Sequence, residues 1–226
     1  MYRFSLFTAI GVLIFSASAN ATVFRFDTDP FAGSTALTTP GRQIVAGESF
    51  INFNTATDIF SLESTVFGVG SQVHFANDVV GNLPATNVNV IVLRSFDDDA
   101  NSGTPFAAGN AANLIANQIT TPGPGFFIYF NQGLDLPRLV FSTDLSENTA
   151  DLKILFRMTN LTGQGGRDAM PTFTASNFEF TTVPEPSSVL MMTAAGAFFA
   201  GRYAWRRRRA SARRSSGTTD FAVLVA

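Results

Sequence analysis

Phe173-Thr174-Ala175-Ser176-Asn177-Phe178-Glu179-Phe180 closes the central part of the chain, and its last residues alternate Phe178, Glu179, Phe180. A strand turns successive side chains to opposite faces, so this pattern predicts a half-buried strand over 173–180. Upstream, the same texture recurs as short runs rich in Phe, Val, Ile and Thr, broken by Gly, Pro, Asn and Asp. Candidate strands are Val23–Asp27, Ser49–Asn54, Ile59–Leu62, Val73–Ala76, Val88–Leu93, Phe126–Asn131, Arg138–Ser142 and Leu152–Thr159. One segment differs. Residues 104–119 are rich in Ala, with Ala111, Leu114, Ile115 and Gln118 at helical spacing. Thr104-Pro105 is read as its start and Thr120-Thr121-Pro122-Gly123-Pro124-Gly125 as its end. The expectation is a mainly β body over residues 22–182, a β-sandwich of jelly-roll type with one short helix. Its abundant phenylalanines are read as core, since each buries a large apolar area without needing a polar partner.

Composition narrows the chemistry. There is no cysteine among the 226 residues, which excludes disulfides, thiolate zinc sites and a cysteine nucleophile. Residues 22–182 hold seven Lys and Arg against fifteen Asp and Glu, a net of -8. An acidic body is a poor partner for a phosphate backbone, so nucleic-acid binding is not expected.

The ends read as targeting. Arg3, the apolar run Phe4–Phe15 and the small residues Ala17-Ser18-Ala19-Asn20-Ala21 have the order of a secretory signal peptide, assigned to residues 1–21. Cuts after Ala19 and after Ala21 both fit; the second leaves Thr22 and then Val23-Phe24-Arg25-Phe26 to open the mature chain. At the other end, Val183-Pro184-Glu185-Pro186 precedes 16 uncharged residues from Pro186 to Gly201, then Arg202 and the block Arg206-Arg207-Arg208-Arg209. The run is slightly short of the ~20 residues that a hydrocarbon core demands, but Arg202 can snorkel and Tyr203 and Trp205 suit the interface. A transmembrane helix over about 187–205 is expected, with the arginines held in the cytoplasm. Residues 210–226, Ser- and Thr-rich and then apolar, are read as a disordered cytoplasmic tail.

These three parts in order, over residues 183–209 and behind a signal peptide, resemble the PEP-CTERM family of bacterial exported proteins. The resemblance implies recognition of Pro184-Glu185-Pro186 by an exosortase, cleavage near that motif, passage through an inner-membrane-anchored intermediate, and release or attachment at the cell surface. It also implies a Gram-negative host that makes exopolysaccharide and forms biofilm or floc. One departure is visible: members usually stop soon after the arginine cluster, whereas this chain continues to Ala226. Physically, two prolines fix φ and remove two donors, so the motif stays out of strand and helix and remains an accessible peptide.

Residues with chemistry are few. Asp97, Asp99 and Asn101 place oxygens at every second position before Gly103, a partial calcium-loop pattern. Ser102 and Ala108 stand where a helix-flanked loop would have Gly and a bidentate Glu, and the plainer reading is a solvated acidic turn. His74, with Ser71 and Asp78 nearby, supplies triad residue types, but strand alternation favours a solvent-facing or locally bonded His74. Asn160-Leu161-Thr162 matches a glycosylation acceptor, a pattern common by chance. With no nucleophile elbow or phosphate loop, the expectation is a non-enzymatic exported surface or matrix protein whose body is structural or binds exopolysaccharide. The alternative is a secreted polysaccharide hydrolase.

Overall fold

The computed structural model describes residues 20–101 and 103–182, together with Phe198 and Arg202. Among the described residues there are ten strands: β1 (Val23–Phe26), β2 (Ile44–Val45), β3 (Ser49–Ile51), β4 (Ile59–Glu63), β5 (Phe75–Asp78), β6 (Val90–Leu93), β7 (Gly125–Asn131), β8 (Leu136–Ser142), β9 (Leu152–Met158) and β10 (Phe178–Thr181). All but the two-residue β2 fall on the expected segments. Within residues 20–182 three α-helices accompany them: α1 (Ser64–Phe67), α2 (Ala108–Ala116) and α3 (Gly163–Ala169).

The chain divides into a unit ending at Thr182 and one beginning at Val183. In the second, the described Phe198 and Arg202 are helical, with the guanidinium 5.7 Å from the ring centroid. Apart from these two residues, the expected span over 187–205 lies outside the described residues, as do positions 1–19 of the signal peptide, Pro184, Glu185, Pro186, Arg206–Arg209 and the tail over 210–226. Among the described residues, no helix is long and apolar enough to cross a membrane.

Phe60 and Leu62 of β4 explain how the body is layered. Both are fully buried, and they share one core with Val90 and Val92 of β6, Phe126 and Ile128 of β7, Leu139 and Phe141 of β8, and Phe156 and Met158 of β9. This core lies between a small sheet, ordered β1-β4-β10, and a large one, ordered β2-β9-β8-β7-β6-β5 with β3 also on β9. Phe53 stacks on Phe60 with centroids 4.3 Å apart, and Phe173 stacks on Phe53 at 5.5 Å. Burying a phenylalanine side chain stabilises a fold by about 2 kcal/mol. The opposite face of the large sheet carries Ile91, Leu93, Phe127 and Val140, and α2 covers it with Ala108, Ala111, Ala112 and Ile115. The body is therefore two sheets and a helix layer.

Four expectations need correction. The jelly-roll topology is not found: of the eight pairings among the described residues, six are parallel and only β7–β8 and β8–β9 are antiparallel. Alternation reports which side of a strand is buried and carries nothing about the direction of its neighbour. The single helix becomes three, because α1 is one turn closed by Gly68 at φ 66° and α3, Gly-Gln-Gly-Gly-Arg-Asp-Ala, has too many glycines to read as helix. Gly166 is required there, since a Cβ would lie 2.7 Å from the Leu161 carbonyl carbon and 2.9 Å from the Phe130 ring.

Finally, Phe173–Asn177 is not strand. Asn177 accepts from the Thr174 N–H at 2.8 Å and donates to the Thr55 and Asp58 carbonyls at 2.9 Å, which holds Ala175–Asn177 in a 3-10 turn. The strand begins at Phe178, with Phe178 buried and Glu179 exposed as expected. Similarly, α2 starts at Ala108, where Asn110 accepts from the Ala107 N–H at 3.2 Å, and Thr104-Pro105 stays in the preceding loop.

Candidate functional site

The acidic loop is built from local bonds. Asp97 Oδ1 accepts the N–H groups of Asp99 and Ala100, each at 3.0 Å, and Asp99 Oδ1 accepts that of Asn101 at 2.9 Å. Asp99 Oδ2 accepts the Thr104 hydroxyl at 2.8 Å, and Asp98 Oδ2 accepts from Asn110 Nδ2 at 2.7 Å. The Asn101 N–H and the Thr104 hydroxyl hold the Asp99 carboxyl below its ordinary range. Carboxylate oxygens of Asp97, Asp98 and Asp99 lie within 4.8 Å of one another, all exposed. Asp98, which the every-second-residue pattern skips, thus joins Asp97 and Asp99. Asn101 Oδ1 instead accepts from the Gly103 N–H at 3.0 Å.

His74 and Asp78 are not joined. His74 is half-buried just before β5, and its backbone N–H donates to Asn89 Oδ1 at 2.8 Å. Asp78 Oδ1 takes Arg94 Nη2 and the Val79 N–H, each at 2.7 Å, and Asn82 Nδ2 at 3.2 Å. The Val79 N–H, then Asn82 and Arg94, lower the Asp78 pKa. Ser71 lies exposed in the preceding bend. Asn160, the glycosylation match, is tied to Phe53 in both directions, accepting its N–H at 2.8 Å and donating to its carbonyl at 3.0 Å. That amide is a structural clamp.

The residues that sequence reasoning missed lie along the β3 edge of the large sheet. Register sets Tyr129 opposite Arg138, Arg138 opposite Arg157, and Phe50 beside Arg157, a row across β7, β8, β9 and β3. Between Val45 and Ser49 the edge carries three residues against two on β9, a bulge at which Gly47 takes φ 99°. The next residue, Glu48, turns inward and Oε1 accepts from both Arg138 Nη2 and Arg157 Nη2. Its side chain is 7% exposed, against 11% for Arg138 and 23% for Arg157. Burial works against ionisation of Glu48, but its own backbone N–H, Arg157 and Arg138 outweigh it and hold the carboxyl at about 2. Tyr129 Oη accepts from Arg138 Nη1 at 3.4 Å and from Asn131 Nδ2 at 3.0 Å. The Arg157 guanidinium lies 4.7 Å from the centroid of the Phe50 ring. A signal was present: Arg138 is the one charge in the strand Leu136–Ser142, and Arg157 follows Lys153 in the strand Leu152–Met158.

The last feature is how the chain leaves the body. β10 ends at Thr181, hydrogen-bonded through Oγ1 to Glu63 Oε2 at 3.4 Å, and only Thr182 and Val183 precede Pro184. Residues 182–209 match the PEP-CTERM protein-sorting motif. The chain carries a PEP-CTERM sorting signal. The PEP-CTERM motif marks an exported protein that is membrane-anchored during sorting and processed by an exosortase. Its match includes Pro184, Glu185, Pro186 and Arg206–Arg209. No curated protein and no solved structure matches the chain.

Proposed function

We propose that residues 22–182 are the cargo of this signal, a surface or extracellular-matrix module that is structural or binds exopolysaccharide around a Gram-negative, biofilm-forming cell. The observation that carries the reading is the sorting motif placed directly behind the last strand. A cut near Pro184 falls beyond Thr181, so the body would keep every strand that holds it together. β1 and β10 both run parallel to β4, so the mature chain begins at one end of the small sheet and leaves from the other. That arrangement suits a module tethered by one end and open at the far end. Calcium held by Asp97, Asp98 and Asp99 is a refinement of the same reading: hard carboxylate oxygens gathered on an exposed loop are the donor set this ion takes.

Replacing Pro184, Glu185 and Pro186 by alanine tests the sorting reading. Cell fractionation with mass measurement should find the variant uncleaved and retained in the inner membrane. Unchanged chain length and surface delivery would sink it. Incubation of the exported protein with exopolysaccharide should show retention on the polymer without loss of chain length. Depolymerisation would instead establish the hydrolase.

A further inference from the structure

We infer that Phe50 and Arg157, held in place by Glu48 and Arg138 on the β3 edge, form a stacking platform for an acidic sugar unit of a polysaccharide. The inference rests on the polysaccharide-binding half of the proposed function and names its site and ligand class. Among the described residues 20–182, the exposed large apolar side chains are Val23, Leu37, Ile44, Phe50, Val79 and Leu134, and only Phe50 is aromatic. At 65% exposure it stands apart from a fold whose other phenylalanines are buried or half-buried. Its ring is not loose on the surface: Arg157 lies against it at 4.7 Å, and Glu48 in turn fixes Arg157. With the guanidinium on one face, the exposed remainder of the ring is free for the C–H face of a pyranose.

Charge then selects the sugar. Two guanidinium groups share one carboxylate here, a local excess of one positive charge in a body of net charge -8. Glu48 engages only Nη2 of Arg157, and Nη1 makes no hydrogen bond within the described residues, so the guanidinium keeps a donor for a ligand. A neutral sugar would gain nothing from that excess. A uronate carboxylate beside Phe50 would meet the remaining Nη1 of Arg157, whose side chain is partly exposed and already oriented before the ligand arrives.

The test is affinity electrophoresis of the exported protein in gels containing polygalacturonate or, as a neutral polymer, dextran. The parent should be retarded by polygalacturonate and not by dextran, and the retardation should weaken with salt. Phe50→Ala should raise the dissociation constant at least about tenfold, while Phe50→Tyr, which keeps the ring, should bind within about twofold of the parent. Leu37→Ala, which removes an exposed apolar side chain elsewhere, should bind as the parent does. If Phe50→Ala binds like the parent, the platform is wrong and polysaccharide binding stands. Equal retardation by dextran overturns the acidic selectivity, and no retardation of the parent by either polymer removes the platform and counts against polysaccharide binding itself. Should Phe50→Ala convert a dimer to a monomer in light scattering, the edge is an interface between two copies and the proposal fails.

Discussion

Two charged regions of this body are built in opposite ways. The Asp97–Asp99 loop is exposed, and apart from Asp98–Asn110, 12 residues apart, its bonds join residues no more than five apart. The Glu48 cluster is nearly buried, and its ion pairs join residues 90 and 109 positions apart. The first is a feature of local sequence that the solvent stabilises anyway; the second exists only because β3, β8 and β9 are brought side by side. Charges in water interact weakly, whereas charges out of water must be paired or their burial becomes costly. The contrast teaches that the conspicuous acidic run is energetically quiet, and that a single glutamate at a bulge matters more.

The sharpest way to break that comparison is Glu48→Gln. It keeps the volume but leaves Arg138 and Arg157 facing each other on neighbouring strands, and should destabilise the body by about 3 kcal/mol. Urea unfolding should show a lower midpoint with an unchanged slope. Acid titration comes next. Folding favours the Glu48 carboxylate, so its stabilisation is complete above the ordinary value of 4.5 and is lost as pH falls toward about 2. Stability measured across that window should fall more steeply in the parent than in Glu48→Gln, and parallel curves would show that the pair contributes nothing.

Arg157→Lys should have a smaller effect, about 1 kcal/mol, because the charge remains while the planar contacts with Phe50 and Glu48 are lost. Asp97→Ala should have the least, within about 0.5 kcal/mol of the parent, as an exposed loop substitution does. The same variant tests calcium. Titration calorimetry should show heat with the parent that disappears in Asp97→Ala, and no heat with the parent would remove the ion from the proposal.

Much of the fold was legible because burial leaves a local trace. Runs such as Gly125–Asn131 and Val90–Leu93 are too apolar and too rich in β-formers to be anything but interior strands. The Phe173–Asn177 segment misled because Asn177 looks like any polar strand residue, yet its amide reaches the backbone of Thr55 and Asp58, more than a hundred residues away. β2 is too short to show a period at all. For the candidate sites the division is similar. Asp97 and Asp99 were readable from spacing, but the turn of Asn101 toward Gly103 and the recruitment of Asp98 depend on loop geometry.

The sequence alone determined the route. A linear motif, Pro184-Glu185-Pro186 ahead of an apolar run and four arginines, is read by an enzyme and a membrane without help from a fold. It also determined that the body is mainly β, since the hydrophobic period of a strand is written in consecutive residues. Only the tertiary structure decided that most strands pair in parallel, that Glu48 lies between two arginines, and that Phe50 alone among the described aromatics of the body faces solvent. Each of these depends on which distant segments become neighbours, and strand direction and cross-sheet register leave no mark on the local order of residues.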